Sequence, residues 1–161
     1  MFTLRPTKKL ARQLGLTIPA EPPPVVSRVA DWCAHIFPLG DEPWLIFCNT
    51  ASLYPVFASS AGVTDGESLV RRAGGMILQV LRDNRHSLQA DILERELTQY
   101  QWAPIPGRSV LGSINELIWL GEAWFDDDAL TPAVLSDQLG KTPMSALGMN
   151  NPTRAFTTLR A

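Results

Sequence analysis

The chain has 161 residues, of which 45% are apolar and 19% are charged, a profile typical of one soluble domain. A chain of this length buries roughly 70% of the surface that its unfolded form exposes, so a disulfide framework or a structural metal is not needed for folding. The formal net charge of -2 excludes a generally basic nucleic-acid-binding surface.

The first predicted elements are a short strand from Phe2 to Arg5 and a helix from Lys8 to about Leu14. Thr7 is placed to cap this helix, and Gly15 is placed to end it. Residues 18–26 contain three consecutive prolines, which predict an extended proline-rich excursion with no regular hydrogen bonding.

An antiparallel hairpin is predicted next. Residues 32–37 and 44–48 are rich in aromatic and branched side chains, and a turn-like segment separates them. A third strand is predicted over residues 53–58, where Pro55 indicates an edge or a bulge.

Two helices follow the third strand. Thr64 and Glu67 have the spacing of a capping box, and the apolar residues after them recur with a helical period. Ser87 is predicted to cap a second helix that ends near Leu97. A further extended segment is predicted over residues 100–105.

Residues 109–123 predict a helix that is apolar around most of its circumference, with Ser109, Ser113 and Glu116 on a narrow polar edge. Such a pattern places this helix in the centre of the fold. The same reasoning assigns most of the tryptophans to the core; those in apolar runs are Trp32, Trp44, Trp119 and Trp124.

The last two helices are predicted to begin at Thr131-Pro132 and Asn151-Pro152, because a capping residue followed by proline is a helix-start signal. The full order predicts one α+β domain over residues 1–161, with a small, mainly antiparallel sheet packed against several helices. Within it, residues 129–161 are expected to form a helical C-terminal extension.

The start of the chain lacks the apolar core of a signal peptide, and no run approaches the length of a membrane span. We therefore expect a cytoplasmic protein with no membrane association. In that compartment Cys33 and Cys48 are expected to be free thiols.

Around a hairpin turn at residues 40–42, Cys33, His35 and Cys48 fall on one face of the sheet. These are zinc-ligand residue types, but the paired Cys-x-x-Cys spacing and a fourth ligand are lacking. Ordinary packing of the cysteines is therefore favoured, and we predict no metal and no cofactor.

Charge is distributed unevenly along the sequence. Residues 1–28 carry five cationic side chains against one acidic residue, whereas residues 109–140 carry six carboxylates and no Lys or Arg. Glu122 and the run Asp126, Asp127 and Asp128 are therefore candidate contacts for a protein partner with a basic surface. Direct nucleic-acid binding is disfavoured.

The starts of the first helix and of the helix near residue 109 are candidates for an anion site. Unpaired N–H groups at a helix start, with cations beside them, suit a phosphate or a carboxylate. The candidate residues are Thr7, Lys8 and Lys9 at one start and Arg108 and Ser109 at the other. Ordinary capping with solvated cations is the alternative interpretation.

Four short motifs occur in order: Thr7-Lys8-Lys9-Leu10, Asp31-Trp32, Asn49-Thr50 and Arg108-Ser109-Val110-Leu111-Gly112-Ser113-Ile114-Asn115-Glu116. With them the chain resembles a domain-of-unknown-function family of small bacterial, plasmid and phage proteins. The resemblance implies a cellular setting and a fold but no activity. It singles out Thr7, Lys8, Arg108, Ser109 and Asn115, where Asn115 either contacts a ligand or ties its helix to the Asn49-Thr50 turn.

Two functions follow as hypotheses. The first is a non-catalytic binding or regulatory module, an accessory protein of a bacterium or mobile element, that acts through a protein partner or a small anionic ligand. The second is an enzyme for a phosphorylated or nucleotide substrate. Its phosphate would be bound by Lys8, Lys9 and Arg108, and Asp126 to Asp128 or His35 would supply metal or acid–base chemistry.

Overall fold

The computed structural model describes residues 1–125 and 130–161. The strands are β1 (Phe2–Pro6), β2 (Asp31–Leu39), β3 (Glu42–Asn49), β4 (Pro55–Ser59) and β5 (Tyr100–Trp102). The helices are α1 (Lys8–Leu14), α2 (Gly66–Asp83), α3 (Ser87–Glu96), α4 (Arg108–Glu122), α5 (Pro132–Gly140) and α6 (Pro152–Thr157), with a 3₁₀ turn at Ser145–Leu147. The predicted order of elements and the α+β class are confirmed.

The sheet is mixed, and its antiparallel part is the larger one. Its strand order is β4-β3-β2-β1-β5. The pairings β2–β3 and β3–β4 are antiparallel, whereas β1 pairs with β2 and with β5 in parallel. The parallel pairings join strands that are distant in the sequence, and hairpin signals cannot reveal such pairings. β4 lies at an edge of the sheet, as Pro55 indicates.

Helices cover both faces of the sheet. One core contains Phe2, Leu4 and Trp32 of the sheet together with side chains of α1, α2, α3 and α6. The second core contains Cys33, Phe57 and other side chains of the opposite face, together with side chains of α4 and α5. Residues 130–161 contribute to both cores through α5 and α6.

The helix caps of the structure agree with the predicted caps of α1 and differ from those predicted for α2 and α3. Thr7 caps α1 and Gly15 ends it with a left-handed φ of 66°, as predicted. The capping box of α2 is formed by Asp65 and Ser68, one residue after the predicted cap. Ser87 is the first residue of α3 but does not cap it, because His86 occupies the cap position without a side-chain hydrogen bond.

The prediction that α4 is central is wrong. Its buried positions, which include Ile114, Leu117 and Gly121, form one stripe that packs on the second face of the sheet. Trp119 is 71% exposed, so the apolar outer face of α4 is a surface feature. Ser113, predicted on the polar edge, is buried and donates a hydrogen bond to the carbonyl of Ser109.

The prediction that most tryptophans lie in the core also needs correction. Trp32 is fully buried, but Trp44 is only partly buried and Trp124 is 41% exposed. Apolar character in the sequence thus marked both the core and a surface patch. None of the helices within residues 1–125 and 130–161 combines the length and apolarity that a membrane crossing needs.

Candidate functional site

A buried ion pair joins the two parallel strands β1 and β2. The Arg5 Nε atom donates to Asp31 Oδ1 at 2.8 Å, and Arg5 Nη2 donates to Asp31 Oδ2 at 3.2 Å. The third guanidinium nitrogen, Nη1, donates to the Pro104 carbonyl at 2.7 Å. Arg5 is therefore bound to β2 through the bidentate contact and to the segment before α4 through the Pro104 carbonyl. Its charge is balanced inside the fold by Asp31.

The two cysteines extend this polar cluster but are not activated. Cys33 pairs with Cys48 across the hairpin, which confirms that they share a face, and Cys33 Sγ lies 3.5 Å from Thr50 Oγ1. Burial raises the pKa of Cys33 to about 12 and raises that of Cys48 well above its usual range. Both thiols are therefore protonated at neutral pH and are poor nucleophiles.

No group of three or more His, Cys, Asp or Glu residues that could hold a metal ion occurs in the described part of the chain. Asp126 to Asp128, the sequence's candidates for a hard cation, lie outside it. The expectation of no metal stays a prediction.

Thr7 and His35 form a polar contact at the end of β1. Thr7 Oγ1 lies 2.8 Å from His35 Nδ1 and also accepts the Leu10 N–H at 3.4 Å. Burial lowers the pKa of His35, and the nearby Lys9 cation lowers it further. Since Thr7 is only 5% exposed, its hydroxyl serves the helix cap and the orientation of His35.

The predicted anion residues are divided among different surfaces. Lys8 lines a cleft together with Arg12. Lys9 lines a separate groove whose other residues include Asp41 and Glu42, and these carboxylates oppose the binding of an anion there. Arg108 and Ser109 are exposed at the start of α4 and belong to neither set of lining residues.

Asn115 is exposed on α4, so the suggested tie to the Asn49-Thr50 turn is wrong. Asn49 instead donates to the carbonyls of Arg28 and Asp31 and accepts the N–H groups of Ala51 and Ser52. Asn49 therefore holds its own turn against the start of β2.

The cleft beside Lys8 has a volume of about 550 Å³. Its walls are α1, residues 16–20 and the segment 104–105, and no carboxylate is among its lining residues. Its size falls within the range of small-molecule sites, roughly 300–1,000 Å³. Arg12, which the sequence analysis did not select, joins Lys8 because residues four apart share a helix face.

The outer face of α4 carries Trp119, the most exposed aromatic side chain among the described residues. Glu116 and Glu122 lie three residues before and after Trp119, so helical geometry places a carboxylate on each side of the indole. A hollow of about 600 Å³ lies against Trp119, Leu120 and Trp124, with Glu122 at its border. Of the predicted partner contacts, Glu122 is therefore at this surface, while Asp126 to Asp128 lie outside the described residues.

Trp124 also lines an adjacent crevice of about 270 Å³ with Trp44 and Phe125. The rings of Trp44 and Phe125 stand 5.3 Å apart. The exposed apolar surface therefore continues from the outside of α4 toward the hairpin. The spacing Glu116, Trp119, Glu122 was a signal for this surface that sequence analysis missed.

Comparison with protein families identifies the family of this chain. The profile of a domain of unknown function, DUF6933, matches residues 3–155. The chain therefore belongs to that family. Searches of curated proteins and of solved structures found no significant match.

Proposed function

We propose that the protein is a non-catalytic binding module that acts through a protein partner with a basic surface, and that the outer face of α4 is the contact. The observation that carries this proposal is the 71% exposure of Trp119 between two glutamates. A bacterial or mobile-element accessory role with regulatory effect is part of the same proposal.

The aromatic component supports a macromolecular contact. An aromatic side chain of this kind buries about 150–250 Å² in an interface, and tryptophan is enriched among the residues that dominate binding energy. Trp119, Leu120 and Trp124 border one hollow, so a single apolar side chain of a partner can contact all three.

The charged component selects the partner. Glu116 and Glu122 flank the aromatic surface, and residues 109–140 contain no Lys or Arg. A partner that places Lys or Arg around an apolar anchor gains complementary contacts and faster encounter. The same carboxylates repel a phosphate backbone, which disfavours nucleic acid at this face.

The test uses two synthetic amphipathic helices, each of roughly 18 residues or five turns, with the same leucine positions. One carries lysine and the other carries glutamate at all polar positions. We expect the lysine peptide to bind at least tenfold more tightly, measured by titration calorimetry. Equal binding of both peptides contradicts the charge argument.

Variants locate the contact. We expect Trp119→Ala to weaken binding of the lysine peptide at least tenfold. The folded state should be retained because the ring is exposed. Glu116→Lys with Glu122→Lys should reverse the peptide preference. Leu88→Ala, which removes an apolar side chain of α3 that is 49% exposed, is the matched control and should leave binding unchanged. If Trp119→Ala binds like the unmodified protein, α4 is not the contact.

The enzymatic alternative has one observation in its favour, the 2.8 Å contact between Thr7 and His35. That contact resembles a hydroxyl with an adjacent base, but the Thr7 hydroxyl is buried and already accepts a helix N–H. A screen of phosphatase, nuclease and nucleotidase substrates with magnesium or manganese tests it. Turnover that His35→Gln abolishes would support catalysis over binding.

A further inference from the structure

We infer that the cleft between α1 and residues 104–105 is a second binding site, which takes a small molecule with an aliphatic chain and a terminal carboxylate. This site is separate from the α4 face and does not depend on the function proposed for it. Its walls come from α1, from residues 16–20 and from Pro104 and Ile105.

Two sides of the cleft, at Leu16 and at residues 103–104, are anchored by hydrogen bonds within the protein. On one side, Gly15 adopts a left-handed conformation, and the Leu16 N–H donates to the Ala11 carbonyl at 2.8 Å. On the other side, the Ala103 N–H donates to the Leu4 carbonyl at 3.1 Å, and Pro104 accepts from the buried Arg5. A cleft shaped in this way needs little ordering when a ligand binds.

The polarity of the cleft is divided. Ala11, Leu16, Ile18 and Ile105 supply apolar surface, and Lys8 and Arg12 are exposed cations one helical turn apart. Within residues 1–125 and 130–161, neither cation forms a salt bridge. Two like charges at this spacing repel each other mildly, so an anion placed between them relieves repulsion while its chain covers the apolar surface.

The backbone of the walls favours a small molecule over a peptide. Pro6, Pro19 and Pro104 offer no N–H donor, and the Pro104 carbonyl already accepts from Arg5 at 2.7 Å. An added peptide strand needs both kinds of main-chain partner. An aliphatic chain needs only apolar contact, and its carboxylate needs only the two cations.

Trp102 supplies a reporter close to the cleft. A Cβ atom at Gly66 would stand 2.8 Å from Leu16 Cδ2 and 3.0 Å from Trp102 Cζ2, so the Trp102 ring lies beside a wall residue. The indole N–H resonance of Trp102 in NMR spectra should therefore shift when Leu16 or its neighbours contact a ligand.

The experiment titrates the full chain with decanoate, decylamine, decanol and inorganic phosphate. We expect decanoate to shift the Trp102 signal with an affinity at least tenfold higher than that of the other three probes. No shift with decanoate, or equal affinity for decylamine, overturns the inference. Phosphate that binds as tightly as decanoate overturns the requirement for an aliphatic chain.

Charge and apolar variants complete the test. Lys8→Gln with Arg12→Gln should weaken decanoate binding at least tenfold. Lys9 is a neighbouring cation in a different groove, so Lys9→Gln should leave decanoate binding unchanged. Ile105→Asp should abolish binding by placing a charge on the apolar wall. Trp119→Ala should have no effect on decanoate, which separates this site from the α4 face. Equal affinity in the double variant and in Lys9→Gln contradicts the role of the two cations.

Discussion

The substitution Asp31→Asn removes one charge from the ion pair that joins β1 to β2, with almost no change in side-chain volume. The side chains of Arg5 and Asp31 are 6% and 7% exposed, so the guanidinium would remain buried beside a neutral amide. Its remaining strong acceptor is the Pro104 carbonyl. Water cannot replace the lost carboxylate at this depth.

The expected loss is about 3–5 kcal/mol of unfolding free energy, because breaking a buried pair leaves an uncompensated charge. That amount is a large share of the roughly 5–15 kcal/mol that stabilises a typical domain. It corresponds to a drop in Tm of roughly 6–20 °C for a chain of this size. Asp91→Asn is the matched control, because Asp91 and Arg82 are 59% and 44% exposed, and we expect a loss below about 1 kcal/mol.

The assay is urea unfolding followed by far-UV circular dichroism, with an unchanged m-value as the condition for comparing free energies. A double replacement, Arg5→Met with Asp31→Leu, removes both charges and should recover part of the loss. A loss in Asp31→Asn no larger than that in Asp91→Asn would refute the reasoning that burial makes this pair sensitive.

Three further measurements test packing and titration. Gly140→Ala would force its methyl group against the Thr153 hydroxyl of α6, so we expect a loss of about 1–3 kcal/mol in unfolding free energy. Gly75→Ala on the open side of α2 should raise the unfolding free energy by about 1 kcal/mol, measured by urea unfolding. Equal changes in the two variants would contradict the packing described for the two glycines. Burial lowers the pKa of His86, so the unfolded state binds a proton first, and stability should decline as the pH falls below about 6.5. The decline should be smaller in His86→Gln. If the unfolding free energy depends on pH with the same slope in this variant and in the unmodified protein, His86 is not the group responsible. Because burial raises the pKa of Cys33 and Cys48, a thiol-specific disulfide reagent should modify neither in the folded protein and both in urea; fast modification without urea contradicts their burial.

The candidate sites were predicted only in part. Lys8 was predicted as a cation at a helix start, Glu122 was predicted as part of an acidic stretch, and each borders a cavity in the structure. The cations expected beside Lys8 were Lys9 and Arg108, but a helix turns by about 100° per residue, and Lys9 therefore lines another groove. Arg12 shares the cleft with Lys8 because of helical spacing. Only the fold could show that Pro104 and Ile105 form the opposite wall.

Local signals determined the local structure of this protein. Thr7 begins α1 and Gly15 ends it, the aromatic and branched residues of 32–37 and 44–48 pair in the hairpin, and Thr131-Pro132 and Asn151-Pro152 begin α5 and α6. These signals act within a few residues, through capping hydrogen bonds and backbone preferences, and they can therefore be interpreted from the sequence. The parallel pairings of β1 and the exposure of Trp119 were decided only by the tertiary structure. The reason is that an apolar side chain has the same chemistry in a core and in a surface patch, and only the packing of distant segments determines which of the two it occupies.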